Sequence, residues 1–131
     1  MSASVTYRAT VNEDGTAYVL ARILRKDSNH AMSVPATSDF SSITRGVYLT
    51  RTSTAVLAAT TLTTTNVVLS SLSTGNIWTA DSTGFNFIDT VPSSGFPDGG
   101  EVYTLEYKFT LASGEVGWMT IHATAMNMLG S

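Results

Sequence analysis

Cysteine is absent from the 131 residues, so neither a disulfide framework nor a thiolate metal site is available and the fold must hold by packing alone. Charge is scarce as well. Asp, Glu, Lys and Arg make up 13% of the chain, about half of the roughly 25% usual in globular proteins. Only two histidines occur, His30 and His122, far apart in sequence, which excludes a histidine-rich metal site. No run approaches the roughly 18 apolar residues of a spanning helix, and MSASVTYRATV at the start lacks the apolar stretch of a signal peptide. The expectation is a soluble protein made in a cytoplasm, with no membrane partner. A net charge of −3 with no cluster of Lys and Arg argues against nucleic acid as a partner. The spacings GxSxG, HExxH, GxGxxG, the P-loop and the EF-hand are all missing, so no catalytic residue, cofactor-binding residue or metal ligand is assigned. Asp81, Asp89 and Asp98 sit in or near turns where an oxygen-only calcium site would need them, but without DxDxD clustering.

What fills the place of charge is hydroxyl: 21 Thr and 16 Ser. Threonine is stiff at χ1 and fits a pleated surface, so a chain rich in Thr and poor in Lys and Glu leans toward strands. Its length suits one domain over 1–131 with a sizeable core. The sign of charge is uneven. Residues 1–66 carry six Lys or Arg and four acids, and residues 67–131 carry one Lys and six acids. Solvated strand faces account for this; so would complementary patches between copies in an assembly.

VTYRATV at 5–11 alternates apolar and polar residues, and NEDG at 12–15 is a turn signal of the kind that joins antiparallel strands. TAYVLARILR at 16–25 is apolar on both faces, which predicts a central strand with Arg22 as the exception. Residues 26–40 lack periodicity and read as a long surface loop, with His30 solvated in it. ITRGVYL at 43–49 is a third strand. The Thr-rich stretch at 50–66 suits either face, so two short strands are expected near 55–59 and 66–69 with a weakly specified register. SSLSTG at 70–75 predicts one helical turn, after which Ile77 and Trp78 look like core anchors. FNFIDTV at 85–91 alternates, but parity puts Asp89 on the core face. A bulge that turns it outward is preferred over pairing with a buried donor such as Arg22. PSSGFPDGG at 92–100 is a tight loop.

EVYTLEYKFTLASGEVGWMTIHAT at 101–124 is a hairpin. Tyr103, Leu105, Tyr107, Phe109 and Leu111 share one face, as do Met119, Ile121, Ala123 and Ala125. Merging those faces needs paired numbers with an even sum, for which 228 is chosen, setting Phe109 against Met119 and Glu106 against His122. A two-residue turn at Ser113-Gly114 gives an odd sum, so one extra residue is required and a bulge is predicted near Gly117. Glu106 and His122 would form a cross-strand contact on a flat face. An acid and base dyad would further need a cleft and a third group.

About eight strands with regular turn signals predict an all-β fold, an antiparallel β-sandwich of immunoglobulin-like or jelly-roll-like form. The order of segments, with SDFSSITRGVYL, STGNIW, STGFNF and EYKFTLASGE, resembles small structural proteins of tailed-bacteriophage virions. That resemblance covers most of the chain and rests on strand and turn elements. It implies a capsid decoration or cement protein located in the virion and assembled in a bacterial host cytoplasm. The partners would be the major capsid protein or other virion proteins, in homo-oligomeric form, with no enzymatic activity and no cofactor. Tail, neck and baseplate modules are the neighbouring alternative, and a carbohydrate- or receptor-binding sandwich is another. Candidate interface residues are Tyr18, Trp118 and the apolar tail Met126, Met128 and Leu129.

Overall fold

The computed structural model describes residues 5–26, 31–75 and 78–128. Its strands are β1 (Val5–Asn12), β2 (Ala17–Ala21), β3 (Arg25–Lys26), β4 (Met32–Ser33), β5 (Phe40–Leu49), β6 (Thr54–Leu62), β7 (Val68–Ser73), β8 (Phe85–Val91), β9 (Val102–Leu111) and β10 (Val116–Met126). Ten strands thus stand where about eight were expected. The added pair is the short β3–β4 hairpin within the stretch read as loop, which also holds a 3-10 turn at Thr37–Asp39. His30 and Ile77 lie outside the described residues.

A five-stranded sheet in the order β1-β10-β9-β5-β6 faces a three-stranded one in the order β2-β8-β7. In chain order this is an immunoglobulin-like sandwich. The strands β2, β8 and β7 take the B, E and D places, while β10, β9, β5 and β6 take G, F, C and C′. The first strand joins the large sheet through the one parallel pairing, eight residues long, from Val5 beside Met119 to Asn12 beside Met126. The turn at 12–15 therefore joins two sheets rather than two neighbouring strands, and Asp14 takes φ 53° to make the corner. The expectation of a central β2 is also corrected. It is the edge of the small sheet, its apolar residues lining the open side of the sandwich, with Tyr18 exposed.

The core forms where parity put it. On β9 the residues Tyr103, Leu105, Tyr107, Phe109 and Leu111 are all at most 2% exposed, and Met119, Ile121, Ala123 and Ala125 of β10 lie beside them. Phe87 of β8 enters edge-on between Tyr107 and Phe109, at centroid distances of 5.4 and 5.3 Å. Such pairs contribute about 0.5–1.5 kcal/mol beyond their buried area.

The β9–β10 pairing has an even sum, but Phe109 faces Gly117, Tyr107 faces Met119 and Leu105 faces Ile121. The register is two residues from the expected one, so every side chain keeps its face. No bulge occurs at Gly117, because pairing is unbroken from Val116 to Thr124. The extra residue sits in the turn. Leu111 N donates to Glu115 O, Gly114 N donates to Leu111 O, and Gly114 adopts φ 93°, closing a three-residue loop. A left-handed glycine at that place costs nothing sterically, so it absorbs the odd residue more cheaply than a broken ladder would.

The two strands expected around the Thr-rich stretch are present: β6 covers 55–59 and runs longer, and after one helical turn, α1 (Thr64–Val67), β7 starts at Val68 within 66–69. The helical turn expected at 70–75 is instead the end of β7. Trp78 is half-buried and tilts against Phe85 at 5.5 Å.

Asp89 points into the core, which overturns the expected bulge. Arg45 of β5 donates through Nη1 to Oδ1 at 3.1 Å and to Oδ2 at 2.9 Å, and the Tyr107 hydroxyl donates to Oδ2 at 2.7 Å. The partner is Arg45 and not Arg22, because the β5–β8 contact spans the two sheets whereas Arg22 reaches Asp81. A buried carboxylate is tolerable only when paired and hydrogen-bonded, and three hydrogen bonds from two donor groups here meet that condition for Asp89. Burial and the Asp89 charge push the Tyr107 phenol far above its ordinary value, with the Arg45 charge opposing.

Candidate functional site

Two surfaces compete for the role: the flat outer face of the large sheet and the cleft at the open edge of the sandwich.

On the outer face, alternation along β9 and β10 turns Thr104, Glu106, Lys108, Trp118, Thr120 and His122 away from the core. The register sets Glu106 opposite Thr120 and His122 opposite Thr104, so the expected Glu106–His122 contact is corrected to a diagonal relation. The His122 Nδ1 lies 3.2 Å from the Thr104 hydroxyl, which is 2.7 Å from that of Thr50. Arg8 is the neighbour of His122 on the other side. Hydrogen bonds thus join Thr50, Thr104 and His122 across the face, and Glu106 does not line the cleft described next. Lys108 sits opposite Trp118 with its Nζ 5.4 Å from the ring centroid, so an ammonium already covers one face of the indole. That occupies a stacking face which a sugar would need.

The cleft lies between β2 above and β1 and β10 below, with a volume of about 760 Å³. Its floor is Met119, Ile121 and Ala123, and its walls are small: Ala9 of β1, and Ala17 and Ala21 of β2. Ala9, Ala17 and Ala21 stand here beside Val11 and Val19, where the core elsewhere has Phe and Tyr. Ala9 occupies an inward position of β1 and is nonetheless exposed. The signal was present in sequence as Ala9 on one strand and Ala17 and Ala21 on either side of Val19 on the next, but without the fold it looked like ordinary pattern.

One end of the cleft is a polar hub. Asp81 Oδ2 accepts from Arg22 Nη1 at 2.8 Å, while its Oδ1 accepts from the backbone of Thr83 and Gly84 and from the Trp78 indole. The Gly84 N–H first and the Arg22 guanidinium second hold the Asp81 carboxyl at about 2 rather than 3.8. The other end is acidic. Glu13 accepts from Gly99 N and Met128 N, Asp14 is exposed at the corner, and Asp98 stands next to Tyr103. Burial pushes the Tyr103 phenol above its ordinary value; a hydrogen bond from Asp98 N opposes this, and the charges of Asp98, Glu101 and Asp14 reinforce it.

The candidate interface residues fall in two places. Tyr18 is 65% exposed and Met126 53%, both at the cleft's rim, and Met128 is 44% exposed two residues further on. Val102, 36% exposed, pairs with Thr124 at the start of β9. Trp118 is 39% exposed at the far end of β10, with Val116. Leu129 lies outside the described residues. The three acids considered for calcium do not meet: Asp89 is held in the core by Arg45, Asp81 by Arg22, and Asp98 is beside Tyr103. Among the described residues no three Asp, Glu or His side chains are grouped to hold a metal ion.

Searches with this chain match no family model, no curated protein and no solved structure.

Proposed function

We propose that this chain is a virion structural protein, a non-enzymatic module that binds other proteins of a phage particle, with capsid decoration as the foremost role and tail, neck or baseplate as the neighbouring ones. The observation that carries this reading is the exposure of Tyr18 and Met126 at the cleft's rim, with Met128 and Val102 exposed as well. These are four large apolar side chains, each at least 36% exposed, in a protein with little charge to keep it apart from others. Exposed apolar groups that meet at a cleft's rim mark an interaction surface, and methionines adapt to a partner's shape at small cost. The resemblance of the strand and turn segments to virion proteins supplies the kind of partner. A cysteine-free sandwich that stays folded by packing alone suits an assembly formed in a reducing cytoplasm.

The test is mass spectrometry of gradient-purified particles from a phage that encodes the chain. The protein is expected at many copies per particle, with Met126→Glu lowering its occupancy. Its absence from complete particles would remove the proposal.

A further inference from the structure

The two open sides of the sandwich are built differently. On one side the edge strands are β6 and β7, and both are broken. Relative to β5, β6 carries one extra residue between the partners of Arg45 and Val47 and another between those of Val47 and Tyr48. On β7 only Val68 and Ser73 pair with β8, at Phe87 and Phe85, with the register slipping between them. Bulges of this sort twist an edge away from further pairing, which is how β-proteins keep their edges from recruiting strands. On the other side the edge strands are β1 and β2. Their pairings, eight residues with β10 and five with β8, run without a shift. These two unblunted edges flank the apolar cleft.

Strand order explains what the cleft is. In a seven-strand immunoglobulin-like sandwich one sheet reads A-B-E-D, with A beside B. Here β2, β8 and β7 supply B, E and D, while the first strand pairs with β10 in the other sheet, so the A place beside β2 holds no strand among the described residues. The large sheet consequently extends one strand past the small one. β8 packs on β9 and β5, β2 lies over β10, and among the described residues no strand beyond β2 covers β1. Strands in a sheet are about 4.8 Å apart, so the overhang has the width of one strand.

We propose that the cleft beside β2 accepts a single extended polypeptide segment, contributed by a partner chain, as a fourth strand of the small sheet. The width decides between an arm and a folded edge. The edge of a second domain placed beside β2 would bring its own facing sheet against β1, whereas one extended segment fits over it. A twofold pairing of β2 with β2 of another copy meets the same obstruction, since each copy's β1 occupies the space beneath the other's β2. The walls specify the arm's side chains. Alternate residues point toward Ala9, Ala17, Ala21 and Ile121, a lining that takes Val or Ala sized groups. Charge places a basic residue at one end of the arm. An antiparallel arm ends at the acidic corner of Glu13, Asp14 and Asp98, where a basic residue is favoured, and begins at the Arg22–Asp81 hub. The inference is independent of the virion reading, since any partner with such an arm satisfies it.

The probe is a soluble eight-residue peptide that alternates threonine and valine and ends in lysine amide, titrated by fluorescence anisotropy against the full chain. The expected result is saturable binding, weakened roughly tenfold or more when prolines replace alternate threonines, since each removes a backbone donor. Ala9→Phe, at an exposed wall position that tolerates a large side chain, should abolish binding, while Ala58→Phe on β6 should leave it unchanged. Amide exchange of the bound state should slow in β2 and β1 and not in β6. No saturable binding, protection at β6, or equal affinity of the proline peptide would overturn the proposal. So would binding that appears only after residues 2–4 are deleted, because the arm would then be the chain's own.

Discussion

The side of the sandwich at β5, β6 and β7 and the side at β1 and β2 solve the same packing problem in opposite ways. The first is pinned and sealed. Arg45, Asp89 and Tyr107 tie the two sheets through the core, aromatic rings fill the gap, and both edge strands are bulged. The second is lined by alanines and keeps its strand edges regular. A protein that only needed to stay folded would gain from closing the second side in the manner of the first. The difference is what the proposed partner strand would account for, since a side left open and regular is one that another chain could complete.

Breaking the pinned side carries the largest effect. Asp89→Ala leaves the Arg45 guanidinium buried without its partner and should lower unfolding free energy by about 3–5 kcal/mol, read from urea midpoints. The double variant Arg45→Met with Asp89→Leu should recover most of that loss. The pair is imperfectly satisfied as it stands, since Arg45 Nε is buried with no hydrogen-bond partner. A double variant as unstable as the single one would mean that the ion pair contributes something apolar packing cannot replace.

The same substitution on the two kinds of wall sharpens the contrast. Ala125 is 1% exposed in packed core, so Ala125→Leu should overpack it at a cost of about 1–3 kcal/mol. Ala21 lines the cleft, so Ala21→Leu should instead stabilise by about 0.5–2 kcal/mol while filling the space a partner would use. Thermal unfolding of both variants decides it; equal destabilisation would mean that the cleft is closed in solution.

The polar end of the cleft gives a pH signature. The Asp81 carboxyl is depressed in the folded state, so its contribution is present above 3.8 and lost as pH falls toward about 2. An NMR titration should place its midpoint near 2, and Asp81→Asn should flatten that part of the acid-stability profile. The effect is small because the group is solvent-screened. A midpoint at the ordinary carboxylate value would dissolve the hub. Smallest of all is Ala58→Lys on the bulged β6 edge, which should change stability by no more than about 0.5 kcal/mol and leave the cleft's binding intact.

Local pattern made much of this legible. The alternation of β9 and β10 predicts both core faces and the even-sum parity, because a strand's period of two is a property of adjacent residues. The position of the extra residue depended on whether Gly114 or Gly117 would absorb it, a choice between turn and ladder energies that spacing does not rank. Asp89 was misplaced because its partner Arg45 is 44 positions away in sequence, on the facing sheet. The cleft was hidden for a similar reason. It exists because the first and last long strands pair in parallel, leaving the place beside β2 open, and nothing in either strand announces a neighbour at the far end of the chain. Tyr18, Met126 and Met128 are legible as surface apolar residues, but the meeting of Tyr18 and Met126 at the cleft's rim requires the fold.

The most direct test of the open side is a crystal structure of the chain with the alternating threonine and valine peptide. The peptide should lie as one strand antiparallel to β2, with its valines over Ala9 and Ile121 and its lysine at the corner of Glu13 and Asp14. A peptide bound along β6, or on the outer face with the cleft unfilled, would contradict the account.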